Sequence, residues 1–296
     1  MTATEIVTPP APDPGAAPPR RRAALRRLGR SPLGIAGFTV LAVAVLAAVL
    51  APVLAPYSPS QVHFDAPFQI PGTVGFALGT DDLGRDVLSR ILYGLRASLL
   101  VGLLAIALAL AIGVPLGLAA GYFRTLDAVI SRFTDLMLAF PFLLLAVGLA
   151  AIRGPSLGNA ALALGIAHIP GMIRVVRSET LRLKNLDFVA ASLVDGASDV
   201  RVLGRHVLPN ALSAVIVQAT VAIPQAIIGE SVLSFLGLGI QPPDPSLGTM
   251  LADAQQYAAR APWTAVVPGL AIMLVALAFN LFGDALRDAL DPRSSR

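Results

Sequence analysis

Residues 97–123 read ASLLVGLLAIALALAIGVPLGLAAGYF, 27 consecutive positions without Asp, Glu, Lys or Arg. About 20 apolar residues in helical conformation cross the hydrocarbon core of a bilayer, so this stretch alone predicts a membrane span. Breaking the chain at every charged residue gives further runs at 31–64, 136–152, 154–173, 207–229 and 261–283. The run at 136–152 becomes sufficient if Ile130–Leu136 joins it, with Arg132 and Asp135 near an interface. An all-α polytopic membrane protein with six transmembrane helices is expected. The uncharged run 66–80 is read differently, because Pro67, Pro71, Gly72, Gly75 and Gly79 would leave backbone groups unpaired in lipid. It is expected to be an aqueous loop.

Composition agrees with this reading. The 296 residues are 55% hydrophobic and 14% charged, whereas soluble domains carry about one quarter charged residues. There is no cysteine, which removes disulfides, thiolate metal sites and cysteine nucleophiles together. Of 22 basic residues all but Lys184 are arginine, yet the formal charge is only +4 and the arginines are dispersed, so no nucleic-acid partner is expected.

The placement of those arginines tests the span count independently, because cytoplasmic loops retain Lys and Arg. With the N-terminus inside, the outer segments hold only Arg85, Arg90, Arg96, Arg153 and Arg260, leaving 17 of 22 basic residues inside. Both termini are therefore expected in the cytoplasm of a multi-pass cell-membrane protein. Residues 1–30 begin with a Pro-rich stretch that cannot bury a core and are expected to be a disordered cytoplasmic tail. Residues 31–56 are read as the first span. The basic cluster before it resembles a signal peptide, but the apolar region Leu33–Leu54 is longer than the ~7–15 residues of such a segment, which favours an uncleaved span. Residues 57–95 are read as an external loop with an amphipathic helix starting near Thr80. Residues 96–283 form a five-helix core including a cytoplasmic loop at 174–206, and 284–296 form a cytoplasmic tail.

The span centres are almost bare of ionisable groups. Glu230 and His168 are the only candidates, and each also reads as an interfacial or hydrogen-bonded polar side chain. Helix breakers are more numerous, including Gly113, Pro115, Gly117, Pro141, Pro170, Gly171, Pro224, Pro268 and Gly269. They are read as bends suited to a translocation path, or as residues simply common in membrane helices. No phosphate-binding loop precedes Lys184, and zinc-binding His pairs and nucleophile elbows are missing from the sequence. Catalysis by this chain and a cofactor of its own are not expected, and any energy from ATP must come from a partner.

The loop from Arg174 to His206 is dense in charge and too long for a turn. Asp187 is expected to cap a short helix ended by Gly196. Ser198 or Asp199 would cap a second one running to Leu208-Pro209. In this two-helix knob Ala190, Ala191 and Ser192 permit close approach by another surface, and Phe188, Val189 and Leu193 offer apolar anchors. An amphipathic hairpin resting on lipid headgroups is the alternative.

The knob resembles the signature loop of permease subunits in binding-protein-dependent ABC importers, a Glu-Ala-Ala element followed by a glycine and a Leu-Pro. Here Ala190-Ala191-Ser192 takes the Glu-Ala-Ala place, Gly196 the glycine and Leu208-Pro209 the Leu-Pro. Leu78–Arg90, Ala139-Phe140-Pro141, Ser234–Gly239, Pro242-Pro243 and Asn280–Pro292 resemble the dipeptide, oligopeptide and nickel branch of that family. The resemblance covers nearly everything after residue 31.

What it implies is the type I importer permease fold. A second permease subunit would complete the pathway, two ATP-binding cassette subunits would hold ATP-Mg and dock on the knobs, and an external solute-binding protein would deliver the solute, most plainly a di- or oligopeptide. Residues 187–196, including Asp187, Asp195 and Gly196, would be the coupling helix. Ala190 stands where the family has glutamate; either Asp187 or Asp195 supplies the missing charge or the ATPase partner has adapted. The alternatives of another class are a stand-alone secondary transporter or channel, and a membrane scaffold. The outward Asp81, Asp82, Arg85, Asp86 and Arg90 would receive the binding protein or pair with one another, the latter being favoured.

Overall fold

The structure, a computed structural model, describes residues 31–290. The expected N-terminal tail and the last residues of the C-terminal tail lie outside them. Among the described residues the chain is helical, with strand geometry limited to the isolated bridges Thr73–Phe76 and Thr80–Asp86. In chain order the helices are α1 (Pro32–Val49), α2 (Ala51–Leu54), α3 (Val87–Tyr122), α4 (Arg124–Leu138), α5 (Phe142–Arg153), α6 (Leu157–Leu183), α7 (Asp187–Val194), α8 (Asp199–Val202), α9 (Leu208–Phe235), α10 (Leu247–Ala254) and α11 (Trp263–Leu290). A π-helical turn, Leu203–Val207, joins α8 to α9.

Five of these helices are long and apolar enough to cross a membrane. The sixth expected span is broken: α4 and α5 meet at 89°. The physical cause lies at Ala139-Phe140-Pro141, since Pro141 has no N–H to donate and disfavours helical geometry at the residue before it. Ile130–Leu136 therefore belongs to α4 and does not extend a straight span through 152.

Three other expected boundaries differ. No helix starts at Thr80; residues 80–86 form a tight irregular turn, and α3 begins at Val87 with Asp86 as its cap, accepting from Ser89 N at 2.8 Å and Ser89 Oγ at 2.7 Å. From there α3 runs 36 residues without interruption through Pro115. The first span divides at Leu50 into α1 and α2, with Pro52 in the first turn of the second piece. At the C-terminus, the first residues read as a tail, Asp284–Leu290, are the last part of α11.

Lipid tails are as apolar as leucine, so helices in a bilayer associate through close packing of small residues. Gly113, Gly117 and Gly121 lie along one face of α3 and press on Met172, Val176 and Thr180 of α6. Gly113 and Gly117, read from the sequence as bends or as residues common in membrane helices, form with Gly121 the seam of the bundle. From the other side Gly165 of α6 meets Ala105 and Leu108. Helix α9 fits against both, Gly102 receiving Ile227 and Gly229 receiving Leu164. Ala146 and Ala150 of α5 join the same core as Ala160, Ala161 and Ala163 of α6. On the flank, α11 packs Gly283 on Thr220 of α9, and α1 lies along α11 through Gly34, Gly37 and the Phe38–Phe282 ring pair.

Candidate functional site

The knob is built from local signals. Leu186 is the cap residue of α7, so Asp187 is the first residue inside the helix and not its cap, where its charge still faces the positive end of the helix. The helix stops because Gly196 takes φ 79°. Gly196 N then donates to Leu193 O at 3.0 Å and Ala197 N to Ser192 O at 3.1 Å, a Schellman closure that satisfies the terminal carbonyls.

One side chain seats α7 on the bundle. Val189 is 1% exposed and packs among Leu183, Val202, Val207 and Ala211. Of the three expected apolar anchors, Val189 is thus used within the chain, while Phe188 and Leu193 remain exposed beside Val194 and Val200. Asp187, Ala190, Ala191, Asp195 and Gly196 are exposed and Ser192 is half-buried. Two polar contacts fasten the knob to the end of α3: Tyr122 Oη donates to Asp199 Oδ1 at 2.8 Å, and Lys184 Nζ to Gly121 O at 2.7 Å.

The second knob helix does not stop at Leu208-Pro209. Pro209 sits in the first turn of α9, and Leu208 N reaches back five residues to Leu203 O, giving the π-turn. Asn210 Nδ2 donates to His206 O at 2.6 Å. Proline in a first turn removes no hydrogen bond that the helix needs. The chain therefore runs as one helical rod of 37 residues from Asp199 to Phe235, from the knob through the bundle.

At the opposite end of α9 the two intramembrane candidates separate. Glu230 is wholly buried; it accepts from Ser98 Oγ of α3 at 2.5 Å and Ser234 Oγ at 2.7 Å, and Ile240 N donates to Ser234 Oγ at 3.0 Å. It is a hydrogen-bonded tie between α3, α9 and the following loop. His168 stacks on Phe142 with ring centroids 4.5 Å apart, and its buried Nε2 has no hydrogen-bond partner.

The charged stretch before α3 pairs internally, as favoured. Arg85 bonds Asp81 at 2.6 Å and reaches Asp253 of α10 at 3.2 Å, while Arg90 lies 3.5 Å from Asp81 and 3.4 Å from Asp253. Burial, followed by the charge of Asp81, pushes the Asp82 carboxyl above its usual range. Asp253 was not anticipated from the sequence. Nor was the groove between α4 and α6, a cavity of about 150 Å³ lined by Ser131, Thr134, Asp135, Ile173, Arg174 and Arg177. Its edges are the pairs Arg177–Asp127 and Arg174–Asp135.

Comparison with known proteins returns a consistent set. Residues 113–296 match the family described as binding-protein-dependent transport system inner membrane component, and residues 20–71 match the N-terminal TM domain of oligopeptide transport permease C. The chain is 44% identical over 291 residues to the dipeptide transport system permease protein DppC of Alkalihalophilus pseudofirmus, covering 95% of each. It is 48% identical over 265 residues to the protein of that name from Escherichia coli, covering 88% of each. A di/tripeptide transport system permease protein of Pseudomonas aeruginosa is 43% identical over 265 residues, again 88% of each. Among solved structures, the MetNI methionine ABC transporter in inward facing conformations aligns with a TM-score of 0.56 and 18% identity, over 68% of this chain and 96% of that one. That likeness concerns the fold.

Proposed function

Because the chain belongs to the family of binding-protein-dependent transport system inner membrane components, we propose that it is the permease subunit of an ATP-driven importer carrying di- or oligopeptides into the cytoplasm. It is a transport component and not itself an enzyme. In this reading both termini and the knob are cytoplasmic, and a second permease completes the path. Two ATP-binding cassette subunits bind ATP-Mg and dock on the knobs, and an external binding protein delivers the peptide.

The observation that carries the reading is the rod from Asp199 to Phe235 with α7 seated at its foot. Moving a two-state pathway from 1:99 to 99:1 takes about 5.5 kcal/mol of differential binding. A partner closing on α7 can apply such a bias only through a stiff connection. The Val189 seat, the Tyr122–Asp199 bond and an unbroken helix into the spans supply one. Val189, turned into the chain's own core, fixes the knob to the bundle, and the exposed Phe188, Leu193, Val194 and Val200 are the apolar groups that a docked ATPase would cover. With Ala190 exposed in place of glutamate, Asp187 and Asp195 are the acidic groups left on this surface, and neither makes an ion pair within the described chain. They would meet basic groups on the ATPase.

The test is reconstitution with the ATPases, second permease and binding protein. Phe188→Asp alters an exposed side chain, so folding and bilayer insertion should persist. Loss of an anchor residue of an interface weakens docking by about 2 kcal/mol, roughly thirtyfold, and peptide-stimulated ATP hydrolysis should fall accordingly. Stimulation equal to that of the parent complex would sink the assignment of α7, and peptide accumulation by liposomes holding this chain alone would sink the importer reading.

A further inference from the structure

The exposed side chains of the spans are mostly apolar, apart from Thr39 of α1, which donates to Ile35 O, and Asn280 of α11, three residues from the end of its uncharged run. The apolar ones include Phe38, Val43 and Leu46 on α1, Leu100, Leu103 and Leu104 on α3, and Val266, Leu270 and Leu274 on α11. Helix α9 departs from this. Gln225 is exposed and Gln218 half-buried, both in the middle third of the helix, and neither makes a hydrogen bond within the chain. A primary amide carries two donors and an acceptor with two lone pairs, and leaving these unpaired against lipid is costly. Something polar must face them.

Their spacing is informative. Seven residues are nearly two helical turns, so both amides lie on one face about 10.5 Å apart along the axis. An extended peptide advances roughly 3.3 Å per residue and turns the N–H and C=O of alternate residues to the same edge, so two amides at that interval can meet a residue and the next but one. Backbone N–H and C=O groups recur at that rhythm whatever the side chains are, and an uncharged amide serves either as donor or as acceptor. Both residues also stand on the rod that continues into the knob, so their position shifts with whatever moves α7.

We propose that Gln218 and Gln225 line the translocation path and hydrogen-bond the backbone of the passing peptide, gripping it without regard to side chain. This rests on the peptide-import reading above. The competing role for a polar side chain in a span is a fixed hydrogen bond to the second permease. Seating both amides there would hold the moving rod to a neighbour at two levels.

The chain lacks cysteine, so an introduced thiol is this chain's single one and its labelling is read on this chain after it is separated from the other subunits. Q218C, Q225C and, as a lipid-facing control, V43C are introduced separately into the full complex in proteoliposomes and treated with a small charged methanethiosulfonate, which reacts with ionised thiol in water. Both glutamine positions should react at least about tenfold faster than V43C, and a saturating tripeptide with binding protein and ATP should slow them. In uptake assays Q218L and Q225L should each raise the peptide KM by about tenfold, the scale of one lost hydrogen bond, while the ATPases still co-purify in parent amounts. Reaction no faster than at V43C overturns the inference, as does an unchanged KM in both leucine variants. A parent complex that imports peptide while these variants fail those criteria overturns this inference alone. A parent complex inert to peptides overturns the importer reading as well.

Discussion

Gly117→Val is expected to prevent the bundle from assembling in stable form. A Cβ at this position would stand 2.6 Å from Val176 Cβ and 2.9 Å from Ile173 O. Neither neighbour is the far end of a flexible chain, so the helices themselves would have to separate by an ångström or more. Gly113 and Gly121 carry equivalent constraints, with Cβ positions 2.7 Å from Met172 Cβ and 2.5 Å from Thr180 Cβ. Opening the seam at its centre therefore loosens all three contacts. Overpacking a well-filled site costs about 1–3 kcal/mol, and here the lost contacts of the adjoining turns add to it. A fall of roughly 3 kcal/mol or more is expected, read as a lower melting temperature of the purified protein and a lower yield in membranes. Gly171→Ala is the control, since a Cβ there meets nothing within 4 Å. Equal melting of Gly117→Val and the control would refute the seam.

The same glycines show where sequence reading stops. Gly113, Pro115 and Gly117 were read either as bends or as residues common in membrane helices, and α3 runs through all of them without a break. The four-residue spacing, repeated at Gly121, was the available signal for a packing face. What it cannot give is the partner, because Met172, Val176 and Thr180 belong to a different span. Asp253 is hidden for the same reason: it meets Arg85 across 168 residues, and nothing local to either marks the contact. The break between α4 and α5 was in part legible, since Pro141 interrupts the weakest of the uncharged runs, but hydropathy alone has no term for an 89° bend.

The knob was read more fully, because its determinants are local. Gly196 ends α7 through its own positive φ, and the apolar positions of α7 follow from the spacing around Val189. The misreading lay at Leu208-Pro209, where a proline was taken as a stop although the first helical turn tolerates it. The distinction has a mechanical consequence. With a stop there, the knob would hang from the bundle by a joint; without one, α8, the π-turn and α9 form a single rod, which the proposed coupling would use as a lever.

A lever needs a resisting point at its far end, and Glu230 is placed to provide one. Its carboxyl group is wholly buried and accepts hydrogen bonds from Ser98 on α3 and Ser234 on α9, and Ser234 in turn accepts from Ile240 N in the loop beyond. Glu230→Leu keeps apolar bulk but leaves two buried hydroxyls without their acceptor, at about 1–3 kcal/mol each. Glu230→Gln keeps one acceptor oxygen and should lose only about 1 kcal/mol. Adding Ser98→Ala to the leucine variant removes one stranded donor and should restore part of the loss, since replacing both partners with apolar groups is nearly neutral. The expected order of melting temperature is therefore parent, glutamine, double variant, leucine. Function should follow a different order. In both leucine-containing variants the end of α9 far from the knob loses its hydrogen-bonded tie to α3 and keeps the packing of Ile227 on Gly102, so ATP hydrolysis should continue while peptide uptake per ATP falls. If the double variant regains uptake together with stability, Glu230 only fills space and the lever pivots elsewhere.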